Sequence, residues 1–301
     1  MNQNIINKLL NQNYFITSDH HFGHLNVVKF EKERRNIITL TDNDINLIEL
    51  KSKNEKDISN MEIITNRIET ELINKWNQKI KDEDIVIYLG DFAINKMEAK
   101  MDKNLIKRLK QILSNIKNKK TLNFEDFQTC KELNFNFNTL SLSIEEYIKE
   151  NEFKKTKKNV LSALNKLNGI KILIRGNHDV LSDEFYLNNG FDFVVNGTCV
   201  ISNNSFQIIK NDNGLLCNCL IVKNKEKCIL FSHFNVFPHS QHNYFRYLIE
   251  VEYLKKEFDL YKCDINMHGH THSYNIDDKR CINMSIDNTN FYPIHINNLN
   301  L

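Results

Sequence analysis

Short apolar runs that end in polar residues recur along the chain. Tyr14 to Thr17 leads into Ser18-Asp19, Ile85 to Leu89 into Gly90-Asp91, and Ile172 to Ile174 into Arg175-Gly176-Asn177-His178-Asp179. Two later runs behave alike, Cys228 to Phe231 before Ser232-His233 and Ile265 to Met267 before His268-Gly269-His270. Unbroken apolar runs of this length predict strands buried on both faces, each handing the chain to a polar loop at its C-terminal end. In an open α/β sheet that edge is where ligands collect.

Between the first two strands, Met61, Ile64, Ile68, Leu72 and Trp76 recur at helical spacing, with Glu62, Arg67, Glu69 and Lys75 on other faces. This predicts a crossover helix in which Trp76 is a core anchor rather than a binding aromatic. From Lys96 to Lys166 the chain is rich in Lys, Asn and Leu/Ile, with helical periodicity in Leu105, Leu109 and Leu113 and again in Ile144, Ile148, Val160, Leu164 and Leu167. A mostly helical insertion between the second and third core strands is expected. Its basic runs, Lys117 to Lys120 and Lys154 to Lys158, read as solvated faces because no aromatics are interleaved to stack bases. Asn211 to Asn218 reads as a hairpin turn around Gly214, and Cys281 to Ile286 and Pro293 to Ile296 as strand-like segments.

Composition narrows the picture. A chain of 301 residues, 41% apolar and 26% charged, can bury one large core, so a single domain over residues 1–301 carrying the helical insertion is expected. A net charge of +2 gives no concentrated field for nucleic acid or an anionic membrane. The 7 cysteines form no regular framework, and the close pair Cys217 and Cys219 lacks the second pair a structural zinc site needs. Reduced thiols, no apolar leader in Met1 to Asn13 and no run approaching a membrane span lead to the expectation of a soluble cytoplasmic protein. Glycine is scarce, yet Gly23, Gly90, Gly176 and Gly269 all sit beside clusters of His, Asp or Asn.

Taken alone, each cluster has a bland explanation: a turn at Asp19-His20-His21, a helix cap at Asp91, a core histidine at His233, a surface tract at His268 to His272. Together they bring imidazoles, carboxylates and an amide to strand ends that converge on one sheet edge. Mn²⁺, Zn²⁺ and Fe²⁺ take such mixed shells, and two neighbouring ions need a bridging carboxylate, for which Asp91 after Gly90 is suited. Alternation along extended chain would point Asp19 and His21 one way and His20 the other, and would likewise pair His270 with His272.

In the order Asp19-x-His21, Gly90-Asp91, Gly176-Asn177-His178-Asp179, His233 and Gly269-His270-x-His272, the chain resembles the calcineurin-like metallophosphoesterases. It is most similar to small bacterial and phage members of unassigned substrate, through Ser18 to His24, Leu89 to Phe92, Ile174 to Asp179 and His268 to His272. Trp76-Asn77 and the tail around Asp287 to Pro293 extend the likeness. The segments near Asn36 to Asn60, Lys96 to Lys158 and Gln241 to Glu257 look like insertions.

The resemblance implies a four-layer α/β/β/α sandwich and two divalent metal ions. Manganese is the leading candidate, with iron, zinc, nickel and magnesium as the others. One ion would be held by Asp19, His21, Asp91 and His272, the second by Asp91, Asn177, His233 and His270. A metal-bridging hydroxide would attack phosphorus in line, and His178 would serve as general acid to the leaving oxygen. Asp179 would either orient His178 or cap the following helix. His24 and His268 are candidates for contact with substrate or with the ligands, and His24 equally for a helix-start residue that packs beneath the site. Arg175 is a candidate for phosphate binding, although a strand-end salt bridge is favoured. His20, His239, His242 and His295 read as ordinary surface or structural histidines.

After Gly90-Asp91 come Phe92, Ala93 and Ile94, not the arginine-bearing stretch of protein phosphatases. A small phosphate ester or nucleotide is therefore the expected substrate. Competing readings are a nuclease using the Lys-rich insertion, a non-catalytic interaction protein, and a structural zinc protein.

Overall fold

The computed structural model describes residues 1–24, 26–50, 54–94, 98–151, 154–203, 205–209, 217–237 and 247–299. The hairpin expected around Gly214, together with His239 and His242, lies outside these residues. By compactness the chain divides into residues 1–94 with 160–301, and residues 95–159.

The helices are α1 (Gln3–Leu10), α2 (Val27–Phe30), α3 (Asp42–Glu49), α4 (Glu55–Lys79), α5 (Glu98–Lys117), α6 (Phe124–Glu132), α7 (Leu140–Asn151), α8 (Lys154–Leu164), α9 (Asp183–Asn188) and α10 (Leu248–Leu260). The strands are β1 (Phe15–Thr17), β2 (Ile85–Tyr88), β3 (Ile170–Ile174), β4 (Phe193–Val195), β5 (Thr198–Ser202), β6 (Ser205–Ile209), β7 (Cys219–Lys223), β8 (Cys228–Ser232), β9 (Ile265–His268), β10 (Cys281–Asn283) and β11 (Ile294–His295).

The larger unit contains two sheets. One is five-stranded in the order β11-β1-β2-β3-β4, parallel except where β11 runs antiparallel to β1; the other is six-stranded in the order β10-β9-β8-β7-β5-β6, with β8, β9 and β10 parallel. Alternate side chains of each strand serve different layers. Ile16, Ile87, Ile172 and Ile174 meet Ile201, Leu220, Phe231 and Met267 between the sheets. Val86, Tyr88 and Leu173 face the other way, against Met61, Ile64, Ile68, Leu72 and Trp76 of α4. On the far side, Ile221 and Leu230 pack on Val251, Leu254 and Phe258 of α10. The result is the α/β/β/α sandwich, and burial on both faces explains why the strands read as unbroken apolar runs.

The crossover helix starts where its sequence dictates. The Asn54 side chain accepts from the Asp57 amide (2.9 Å) while Asp57 accepts from the Asn54 amide (3.0 Å), a reciprocal cap of two otherwise unpaired donors. Trp76 is fully buried and donates its indole N–H to the Asn168 carbonyl at 3.0 Å, as a core anchor should.

The smaller unit is helical and has its own core of Ile106, Leu109, Ile112, Cys130, Ile144 and Ile148. Val160, Ala163, Leu164 and Leu167, which follow it, belong instead to the core beneath α4. Cys217 and Cys219 are buried free thiols, Cys219 within β7. Among the described residues, no helix is long and apolar enough to cross a membrane.

Candidate metal centre

The clusters read from the sequence all follow C-terminal strand ends, and backbone hydrogen bonds hold the loops together past those ends. The Asp19 amide donates to the Gly90 carbonyl (3.0 Å), that of His21 to Asp91 (3.1 Å) and that of Gly269 to His233 (3.0 Å). Isolated bridges pair Ser18 with Ser285 and Phe22 with Ala93. These contacts fix the spacing of the loops that carry the side chains.

The backbone that aims those side chains is not extended, contrary to the alternation expected from sequence. Asp19 (φ 60°), His21 (53°), Asp91 (57°), His270 (69°) and His272 (49°) are all left-handed. For a residue with a Cβ this conformation costs roughly 1–2 kcal/mol, and such outliers gather where function imposes them. The expected separation of directions still holds for His20. Its ring stacks on Phe22 at 5.2 Å, and its Nδ1 lies 2.7 Å from the Tyr88 hydroxyl. Two glycines are required by close approach. A Cβ on Gly90, itself at φ 90°, would meet the Gly176 nitrogen at 2.5 Å, and one on Gly269 would meet Asp19 Oδ2 at 2.5 Å.

Two groups of donor atoms result. Asp19, His21 and His272 form one, and Asp91, His233 and His270 the other, the atoms of each lying within 4.8 Å of one another. The Asp91 carboxylate stands between them: Oδ2 is 3.5 Å from His21 Nε2 and Oδ1 is 3.6 Å from His233 Nε2. Asn177 Oδ1 lies 3.0 Å from His233 Nε2. The structure thus brings together Asp19, His21, Asp91, Asn177, His233, His270 and His272.

The chemistry of the donors suits cations. His233 Nδ1 donates to the Leu89 carbonyl (2.8 Å), and its Nε2 and the Asn177 oxygen lie side by side at 3.0 Å. Both ring nitrogens of His21 are buried without a hydrogen-bond partner. Burial, followed by the neighbouring His272, His24, Arg34 and His178, holds His21 well below the usual histidine range, so its ring is neutral. Burial pushes Asp91 up to about 7, with His233 opposing and Asp19 and Asp179 adding to the rise. An ionised carboxylate here calls for positive charge nearby. Asp19 is held by Ser18 Oγ (2.5 Å), Ser285 Oγ (2.8 Å) and the His270 amide (3.0 Å).

His178 lies at the open side, its side chain 26% exposed and its Nε2 4.0 Å from Asp91 Oδ2. Asp179 does not cap the helix that follows. Its carboxylate accepts from the amides of Asp91 (2.7 Å), Phe92 (3.0 Å) and Gly176 (2.8 Å), and the next helix, α9, is capped by Ser182. Arg175 makes the expected salt bridge, to Asp183 at 2.7 Å, and also bonds the Asp179 carbonyl. His24 is buried with its ring 5.7 Å from that of His21. His268 is fully buried, its Nδ1 2.8 Å from the Gly269 carbonyl. His295 caps a short turn by accepting from the Asn297 amide, a structural role.

Sequence reasoning missed Arg34 and assigned no role to Ser18, Ser285 or Asp287. Ser18 and Asp287 fall within the stretches that carry the family likeness. Arg34 sits in the charge-rich run Glu31 to Arg35, which looks like a solvated surface.

An uncharacterized protein, MJ1445 of Methanocaldococcus jannaschii, is 27% identical over 95 residues, covering 32% of this chain and 39% of that protein, so the alignment spans less than half of the relative's length. The crystal structure of the protein of unknown function AQ665 from Aquifex aeolicus aligns over 93% of this chain and 94% of that one, at TM-score 0.47 and 19% identity. The sequence profile of the calcineurin-like phosphoesterases matches residues 13–274, and the chain belongs to that family.

Proposed function

We propose that this protein hydrolyses a phosphate ester, with a nucleotide or other small diester as the substrate class, at a site for two divalent cations. Residues 95–159 are read as an insertion into a single phosphoesterase domain. The observation that carries the reading is the Asp91 carboxylate, which presents one oxygen to the His21 side and the other to the His233 side. Asp19, His21, Asp91 and His272 would hold one ion, and Asp91, Asn177, His233 and His270 the other. Manganese fits this mixed imidazole and carboxylate set, as do iron, zinc and nickel. When bound, the pair would supply Lewis acidity toward water and the phosphoryl oxygens.

The chain's own residues do the rest. The His178 amide donates to Asp91 Oδ1 at 2.8 Å, which ties the position of its ring to that of the shared carboxylate. From the open side of the site, the His178 ring can donate a proton to the leaving oxygen and recover one from solvent. Asp179 keeps the loops carrying Asp91 and Asn177 in register. The small net charge, and the pairing of Lys117 with Glu145 at 2.8 Å, give no support to a nucleic-acid track on the insertion.

The test is hydrolysis of bis-p-nitrophenyl phosphate by Mn²⁺-loaded protein, followed by a panel of mono- and diesters, cyclic nucleotides and single-stranded DNA. Turnover that chelator abolishes and Mn²⁺ restores is expected. Tight metal binding without hydrolysis would instead indicate a structural metal or interaction protein.

A further inference from the structure

Arg34 is fully buried, and its guanidinium is almost saturated. Nε and Nη2 grip Asp287 at 2.7 and 2.9 Å, Nη1 donates to the His20 carbonyl at 2.7 Å and Nη2 to the Asp19 carbonyl at 2.5 Å. Asp287 in turn accepts from His272 Nδ1 at 2.8 Å. One cation therefore touches the left-handed turn that carries Asp19 and His21 and, through one carboxylate, the ring of His272. These are the three residues of a single donor group. The contacts of Arg34 and Asp287 named above do not include Asp91 or His233, and they reach His270 only by way of its amide's bond to the Asp19 carboxylate.

A buried ion pair returns little net stability, because desolvation offsets its Coulomb attraction. Geometry is what it secures. With Nδ1–H committed to Asp287, His272 is held in the tautomer whose Nε2 keeps its lone pair, and the ring cannot turn away. The Asp19 and His20 carbonyls, exposed by left-handed backbone, receive the donors they would otherwise lack. Lysine has one nitrogen and cannot span a carboxylate and two carbonyls as the planar fork does.

Resting on the two-cation reading above, we propose that Arg34 is a positioning residue that acts through Asp287 to set the affinity of the Asp19–His21–His272 half of the site, leaving the other half nearly untouched. Glu31, whose carboxylate lies close to His272 and Asp287, does not make this a third cation site, because both oxygens of Asp287 already accept from the Arg34 guanidinium.

The test compares wild type with Arg34→Lys by calorimetric titration of chelator-treated protein with Mn²⁺, using His272→Ala and His233→Ala to identify each half. Arg34→Lys should weaken the half that His272→Ala removes by about tenfold to a hundredfold and leave the half that His233→Ala removes unchanged. Superimposable isotherms for Arg34→Lys and wild type, or equal weakening of both halves, overturn the inference while leaving two-cation binding intact. A wild-type protein that binds fewer than two ions overturns the underlying reading instead. Should Arg34→Lys fail to fold, ¹⁵N spectra of metal-free wild type in alkaline buffer decide. A His272 ring protonated on Nδ1 supports the relay, and one protonated on Nε2 refutes it.

Discussion

Replacing Asp179 by asparagine isolates one structural claim. The wild-type carboxylate takes Asp91 and Gly176 amides on Oδ2 and the Phe92 amide on Oδ1, in a fully buried setting. Burial pushes its carboxyl above the ordinary range, and the amides of Gly176, Phe92 and Asp91 pull it back. Asparagine has one oxygen. Its best orientation keeps the two amides on the Oδ2 side and turns its NH₂ toward the Phe92 N–H, donor against donor. One charge-assisted hydrogen bond is lost and one buried N–H is left unpaired, for a cost of about 2–4 kcal/mol. Urea unfolding of chelator-treated protein measures that cost, and turnover of bis-p-nitrophenyl phosphate measures its effect on the site. Because Phe92 directly follows Asp91, the loop that carries Asp91 would shift, and turnover should fall along with stability. A variant within about 0.5 kcal/mol of wild type and fully active would refute the scaffold role. Normal stability with lost turnover would return Asp179 to the role of orienting His178.

His178→Ala should lower turnover by roughly a hundredfold or more with two metal ions retained; metal analysis beside steady-state rates checks this, and unchanged turnover contradicts it. Burial pushes the Glu69 carboxyl up to about 7, against the pull of the Gly23 amide, Lys166 and Arg34, so folding retains a proton that the unfolded chain releases near pH 4. The contribution of Glu69 is thus complete at low pH and lost as pH rises through about 7. Glu69→Gln keeps an acceptor for Gly23 and should gain on wild type across that window in urea unfolding, whereas parallel pH curves would count against the assignment.

The core strands were legible because burial on both faces leaves an unbroken apolar signature, and α4 because its apolar face repeats at the helical period. The donor set was legible because imidazole and carboxylate at strand ends have few other uses. What failed was backbone reasoning. Nothing in Asp19-His20-His21 or His270-Thr271-His272 announces left-handed residues, so the right directions were reached from the wrong conformation. Arg34 and Asp287 lie 253 positions apart, a separation across which one sequence carries no pairing signal. The segment expected to be extended from Cys281 to Ile286 ends as strand at Asn283; beyond it Ser285 leaves β9 for a bridge to Ser18 and a bond to the Asp19 carboxylate, and Ile286 enters a short turn.

The shared carboxylate of Asp91 is tested most directly by crystals grown with Mn²⁺ and measured near the manganese absorption edge. Two anomalous peaks about 3.5–4 Å apart, one on each side of that carboxylate, are the result expected. A single peak, or peaks remote from Asp91, would contradict the two-cation account.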